Sequence, residues 1–306
     1  MPFTPFLLRT LALLLVTLPI AAPAVVIVSG DGSGNTTSPG DDPGFSNVGR
    51  MGAGGAVYLG NRWILTVAHL STAGGTAIFG GTTYGFVSGT ETRLSNPSGS
   101  GLSGVIDLRM IRLDGDPSLP SMTVASAAPS AGEDVIMIGR GRLRAPAQTH
   151  WTVTPVPDPD PDVWTEAGAS VDREGFTTSG VRNMRWGENE VDDDSLVVDA
   201  GWGETQSFST KFDQTGGMVH EAQAVAGDSG GGVFAKRGGL WELIGIMHTV
   251  TNSDGQPANT AVYDNDTNSA DLSFYAAQIN ALVATPEPST SLLVAAGLVL
   301  CLRRRR

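Results

Sequence analysis

Cysteine is almost missing from this chain. The single thiol, Cys301, lies five positions from the end of 306 residues. One thiol forms no internal disulfide and no thiolate cluster for zinc or iron–sulfur, so core size and β pairing must supply stability. Charge is also sparse, at 16% of residues, and lopsided: 19 Lys and Arg face 31 Asp and Glu, for a net −12. So acidic a surface repels phosphate backbones, and no nucleic-acid partner is expected. The two most apolar segments, residues 11–20 and 292–302, fall short of the roughly 20 residues of a bilayer-spanning helix. Helical periodicity is rare as well. Forty glycines and 18 prolines argue against a helical bundle and for short strands joined by turns.

Both ends read as addresses. Arg9, the apolar run 11–20 and the small residues Ala22-Pro23-Ala24 make a secretory signal, residues 1–24. A cut after Ala22 would leave Pro23 first, so cleavage after Ala24 is expected. At the other end, Thr285-Pro286-Glu287-Pro288-Ser289-Thr290 precedes the run 292–302 and four arginines, Arg303 to Arg306. This arrangement, over residues 284–306, resembles the bacterial PEP-CTERM sorting signal. The resemblance implies exosortase-type processing, transient membrane association and a secreted or cell-envelope destination. Without these ends the body becomes more acidic, losing five arginines and one glutamate.

Within the body, candidate strands are 76–79, 85–88, 108–113, 134–138, 195–198, 232–234 and 243–247, and residues 63–68 form a strand running into His69. Turn signals recur between them, the spacing of a barrel or sandwich. Leu272, Tyr275, Ala276, Ile279 and Val283 share one helical face, with Asp271 or Ser273 as cap, which predicts a docked helix over 272–283. Residues 156–163 alternate Pro and Asp and read as a stiff exposed loop. Its carboxylates suit Ca²⁺ in type but not in spacing, so no metal or other cofactor is expected.

Three segments carry chemistry: Leu65-Thr66-Val67-Ala68-His69, Ile106-Asp107-Leu108, and Gly227-Asp228-Ser229-Gly230-Gly231. A serine between glycines presents a hydroxyl beside backbone N–H groups, so nucleophile and oxyanion donors share one turn. A histidine accepts the serine proton near neutral pH, and a buried carboxylate fixes its tautomer. Gly227-x-Ser229-x-Gly231 also fits the nucleophile elbow of α/β-hydrolases, which needs acid and then histidine after the serine. Only His248 follows, 19 residues on, which leaves no room for that order.

The order His69, Asp107, Ser229 resembles the chymotrypsin-like (trypsin-fold) serine proteases. Ile64 to His69 looks like their histidine segment, Asp107-Leu108 their aspartate segment, and Ala226 to Val233 their serine segment. Gly139-Arg140-Gly141 looks like a strand early in their second barrel, Leu243-Ile244-Gly245-Ile246 the strand after the serine, and 272–283 the terminal helix. The likeness runs over most of residues 50–283 and is poorest at 145–220. It implies an all-β fold of two six-stranded antiparallel β-barrels with a C-terminal helix, the barrels spanning about 25–125 and 126–283. It further implies a triad of His69, Asp107 and Ser229, an oxyanion hole from the N–H groups of Gly227 and Ser229, and a polypeptide substrate cleaved through an acyl-enzyme. An esterase using the same triad, or an inactive binding protein on the same fold, is the alternative.

The resemblance places the specificity pocket near Gln223, Ala224, His248 and Val250. No acid stands at the pocket floor, Glu221 being two positions early, so cleavage after Lys or Arg is not expected. Val250 should restrict large side chains. His248 reads as touching substrate, bonding near Asp107, or being a plain surface histidine. Asp228 in many relatives pairs with a new N-terminal ammonium. Val25, or Ile27 after trimming, would supply it here. Residues 165–220 read as an inserted loop region without assignable chemistry.

Overall fold

The computed structural model describes residues 25–168 and 171–284; the predicted address segments, apart from residue 284, lie outside these. A short strand, β1 (Val26–Ile27), precedes a first sheet made of β2 (Val48–Met51), β3 (Gly54–Gly60), β4 (Trp63–Thr66), β5 (Thr76–Phe79), β6 (Thr82–Gly85), β7 (Thr92–Ser95) and β8 (Val105–Arg112). They pair in the order β6-β5-β2-β3-β4-β8-β7, all antiparallel. All four residues of β4 are buried, as its unbroken apolar run requires. The hairpin from β3 into β4 turns on Asn61 and Arg62, both at positive φ, the pair of left-handed residues a tight hairpin needs.

The second half contains β9 (Asp134–Gly139), β10 (Arg142–Arg144), β11 (Thr149–Thr154), β12 (Val163–Glu166), β13 (Arg173–Arg182), β14 (Arg185–Glu190), β15 (Leu196–Val198), β16 (Thr205–Lys211), β17 (Ala222–Gln223), β18 (Gly232–Arg237), β19 (Leu240–Thr251), β20 (Thr260–Val262), β21 (Asp266–Asp271) and α1 (Leu272–Val283). Its main sheet runs β14-β9-β18-β19-β21-β16-β15, and a satellite sheet gathers β10 to β13 with β20. The two main sheets curl into half-barrels. Each has seven strands, where six were expected.

One apolar core runs between the halves: Val57, Leu65, Leu108 and Met110 belong to the same buried cluster as Ile138, Phe234, Leu243 and Tyr275. Helix α1 buries Leu272, Tyr275, Ala276 and Ile279, and Asp271 caps it by accepting from the Ser273 N–H. Residues 165–220 are not an insertion. They supply β13, β14 and β16, of which β14 and β16 belong to the main second sheet.

The segment after residue 24 is built into the second half. Val25, Val26 and Ile27 are buried, and β1 pairs with β17 just before the serine turn. Two buried arginines hold its carbonyls: Arg144 donates to Ile27, Val28 and Gly30, and Arg185 to Val25 and Gly34. The Pro-Asp stretch is a mostly exposed loop joining β11 to β12.

Candidate active site

Antiparallel register brings histidine and carboxylate together. Thr66 in β4 pairs with Arg109 in β8, and as the chain continues the Ala68 N–H reaches the Asp107 carbonyl at 3.3 Å. His69 therefore emerges beside Asp107. Asp107 Oδ2 lies 2.7 Å from His69 Nδ1, and Oδ1 accepts the His69 N–H at 2.9 Å. Both carboxylate oxygens thus act on one residue, fixing the ring's position and leaving Nε2 as the free basic nitrogen. Asp107 is 2% exposed and His69 23%, so the acid is sheltered while the ring meets solvent.

Several supporting residues escaped the sequence reading. Arg109 clamps both sides of the histidine by donating to the carbonyls of Ala68 (2.8 Å) and Leu70 (3.2 Å). Thr205, on β16, accepts the Asp107 N–H at 3.1 Å. Trp202 sets its ring 6.2 Å from the His69 ring, held by Arg93, which donates to the Trp202 carbonyl and lies over the indole. All but Arg109 are distant in sequence, and only the spatial register of β7, β8 and β16 reveals them.

His248 is not a surface residue. It is 4% exposed, with Nε2 3.0 Å from Ser207 Oγ and Nδ1 4.0 Å from Asp107 Oδ2. Ser207 gives its hydroxyl proton to the Thr205 carbonyl, so His248 carries its proton on Nε2 and donates to Ser207. Burial lowers its pKa to about 4, against the pull of Asp107. His248 therefore brings no charge to the carboxylate at neutral pH. Its side chain faces inward, because residues 243–248 of β19 are buried on both faces.

The serine turn packs edge-on against β3. The Gly55 N–H donates to the Ser229 carbonyl at 2.8 Å, and Thr66 Oγ1 donates to the Gly55 carbonyl. Ser229 thus lies against the strand pair that delivers His69. Among the described residues its Oγ forms no hydrogen bond, a common state of such groups without substrate. Three N–H groups of the turn are used internally: Asp228 to the Val225 carbonyl, Gly230 to Met247 and Gly231 to Asp228. Among the described residues the N–H groups of Gly227 and Ser229 have no partner. Gly227 sits at φ +109°, a conformation that side-chain-bearing residues avoid.

Asp228 points away from the cleft. Its carboxylate is fully buried and accepts from Gly141 N (2.6 Å) and Val225 N (2.8 Å). A Cβ at Gly139 or Gly141 would overlap it, which accounts for the two glycines around Arg140. Burial raises its pKa to about 7; the two backbone donors and then Arg185 and Arg182 oppose this.

Beside Ser229 opens a pocket of about 250 Å³, lined by Ala224, Val225, Ala226, Met247, His248, Thr249, Val250 and Asn252. Of the residues expected at a specificity pocket, Ala224, His248 and Val250 are among this lining. Gln223 does not line the pocket: it is 1% exposed and pairs with Val26. The lining holds no carboxylate, and Glu221 is turned inward to accept from Asp213 N and Met218 N. Among the described residues no group of His, Cys, Asp and Glu is placed to hold a metal ion.

The sequence profile of the family described as Trypsin matches residues 32–272, most of the chain. The chain belongs to the trypsin family. Several solved structures show a partial likeness. The active form of the Rv3671c protease from M. tuberculosis is 12% identical over 79% of this chain and 81% of its own, with a TM-score of 0.43. The NS6 protease of murine norovirus 1 is 14% identical over 74% and 90%, at 0.40. Mouse neuropsin, a serine protease, is 16% identical over 74% and 86%, at 0.43. A search of curated proteins found no match. Within the trypsin-family frame, the His69–Asp107 pair comes from the first half-barrel and the serine turn from the second.

Proposed function

We propose that the chain is an exported serine endopeptidase that cleaves polypeptides through an acyl-enzyme. One observation supports this reading: among the described residues, the N–H groups of Gly227 and Ser229 are the two within Gly227–Gly231 that have no partner, in a chain whose His69 and Asp107 are paired. Unpaired amides cost free energy, and in this reading the two would hold the substrate oxygen on which charge develops. His69 Nε2 accepts the Ser229 proton as Oγ attacks the substrate carbonyl. Asp107 steadies the imidazolium through Nδ1–H, and the two amides hold the oxyanion, each worth roughly 3 kcal/mol. The imidazolium then protonates the leaving amine, and water repeats the sequence to release the acid. The pocket at Ala224 and Val250 favours small or medium side chains on the acyl side.

Export rests on the two address segments. Cleavage after Ala24 leaves Val25 as the first residue. The burial of Val25, and its place one residue before the β1–β17 pairing, favours that start over Ile27, which would forfeit the strand. The new ammonium would then reach toward Asp228, a carboxylate whose burial asks for a cation. The C-terminal tail would be processed at the membrane by an exosortase-type enzyme. Among the described residues no helix is long and apolar enough to cross a bilayer.

The test is hydrolysis of a fluorogenic peptide with Ala or Val before the cut, beside a simple ester. Ser229→Ala and His69→Ala should each lower kcat by a factor on the order of 10⁴ to 10⁶. Ester turnover with no peptide turnover would favour an esterase. Turnover unaffected by both replacements would reject the assignment.

A further inference from the structure

Across the serine turn from the specificity pocket lie three arginines. Arg182 packs directly on Gly227: a Cβ there would lie 3.1 Å from the guanidinium carbon, and Arg182 Nη1 donates to the Ala53 carbonyl. Ala53 immediately precedes Gly54, whose own Cβ would meet Ser229. Arg182, Arg140 and Arg50 line one groove of about 500 Å³, floored by Phe45, Ile78 and Met184. Arg50 also lines a second groove, with Ser71 and Thr72 of the loop after His69.

Their charge is not neutralised locally. Among the described residues none of the three has a carboxylate within salt-bridge distance. The carboxylate that feels Arg182 is Asp228, which is buried, with both oxygens taken by backbone N–H groups. Arg140 is pushed below the usual guanidinium range by burial and then by the charges of Arg50 and Arg182, so both neighbours repel it. In a chain with 31 acidic and 19 basic residues, such a trio at the catalytic turn is a local reversal of sign.

We propose that Arg50, Arg140 and Arg182 form an anion-binding subsite for the leaving-group side of the substrate, so that the enzyme prefers peptides with Asp or Glu just after the scissile bond. This rests on the peptidase reading. The acyl-side residue enters the pocket at Ala224 and Val250, so the chain leaving Ser229 on the other side of Gly227 runs over Arg182 toward Arg140 and Arg50. Acidic side chains there meet the part-buried guanidinium groups of Arg140 and Arg182 and the exposed one of Arg50, and relieve the repulsion on Arg140.

The experiment uses three fluorogenic peptides identical before the cut and carrying Asp-Glu, Ala-Ala or Lys-Lys after it. The parent should show kcat/KM about tenfold higher for Asp-Glu than for Ala-Ala, the size two half-exposed charge pairs supply, and lower still for Lys-Lys. The preference should shrink in roughly 0.5 M salt, where screening reaches only a few ångströms. Arg50→Gln with Arg140→Gln should bring Asp-Glu and Ala-Ala within about twofold, and Arg→Lys at both positions should restore part of the gap. Arg182 is spared because it also holds Ala53. Cleavage of Asp-Glu and Ala-Ala at equal rates by the parent overturns the subsite and leaves the peptidase standing. Preference surviving in the double Gln variant overturns the assigned arginines. Cleavage of none of the three overturns both.

Discussion

Replacing Asp228 with Asn probes the interior behind the serine turn. Burial raises this carboxylate from 3.8 to about 7, against the smaller opposing pull of the Val225 and Gly141 N–H groups and of Arg185 and Arg182. A folded-state pKa above the unfolded one means that the folded chain holds the proton more tightly. The resulting stability is full below about pH 4 and is lost as pH rises through about 7. Roughly three pKa units correspond to about 4 kcal/mol, an upper bound. Asp228→Asn does not titrate, so the stability of the parent relative to this variant should fall by up to that amount across the window. The difference must be read, not the raw curve. His248 opposes the trend, since a pKa lowered to about 4 withdraws stability as pH falls, while Glu221, raised by burial to about 7, reinforces it. The assay is urea unfolding at a series of pH values, on a form with residues preceding Val25 and on a form starting at Val25. In the second form the ammonium pairs with Asp228, its pKa drops below the unfolded value, and the sign reverses: the parent loses stability only as pH falls through that depressed value. A difference flat in both forms refutes the burial argument. Equal slopes in both refute the ammonium pairing.

Three further outcomes follow from the geometry. His248→Gln keeps a donor toward Ser207 but cannot titrate, so the parent should lose stability relative to it as pH falls from 6.5 to about 4, measured by the same unfolding series. Gly227→Ala places a Cβ 3.0 Å from the Arg140 carbonyl at φ +109°; displacing one oxyanion donor should lower kcat by about 10² to 10³, with KM little changed. Val250→Gly opens the pocket wall, and kcat/KM for an aromatic residue before the cut should rise at least about tenfold relative to Ala.

How much of this was legible depended on the physical origin of each signal. Helix α1 was visible because its cap and apolar face are both local, and the observed bounds, Leu272–Val283, agree with the expected ones. Strand β5 was visible for a similar reason, but the next strand was expected at 85–88, where Phe86 and Val87 are apolar. The tight turn at Gly80 and Gly81, both at positive φ, begins that strand at Thr82 instead. Strand β16 was invisible: Thr205, Ser207, Ser209 and Thr210 are buried polar residues, and nothing in their pattern separates them from a loop. That strand carries the Thr205 which braces Asp107, so this support of the candidate site was hidden. His248 was ambiguous because whether an alternating strand shows a residue to solvent depends on what covers each face. Here both faces are covered.

The most direct test is covalent. A serine-directed fluorophosphonate should add once to the intact protein, on the peptide containing Ser229, with no adduct in Ser229→Ala and greatly slowed labelling in His69→Ala. An intact, folded protein that takes up no label, or that is labelled equally after Ser229→Ala, would contradict the account.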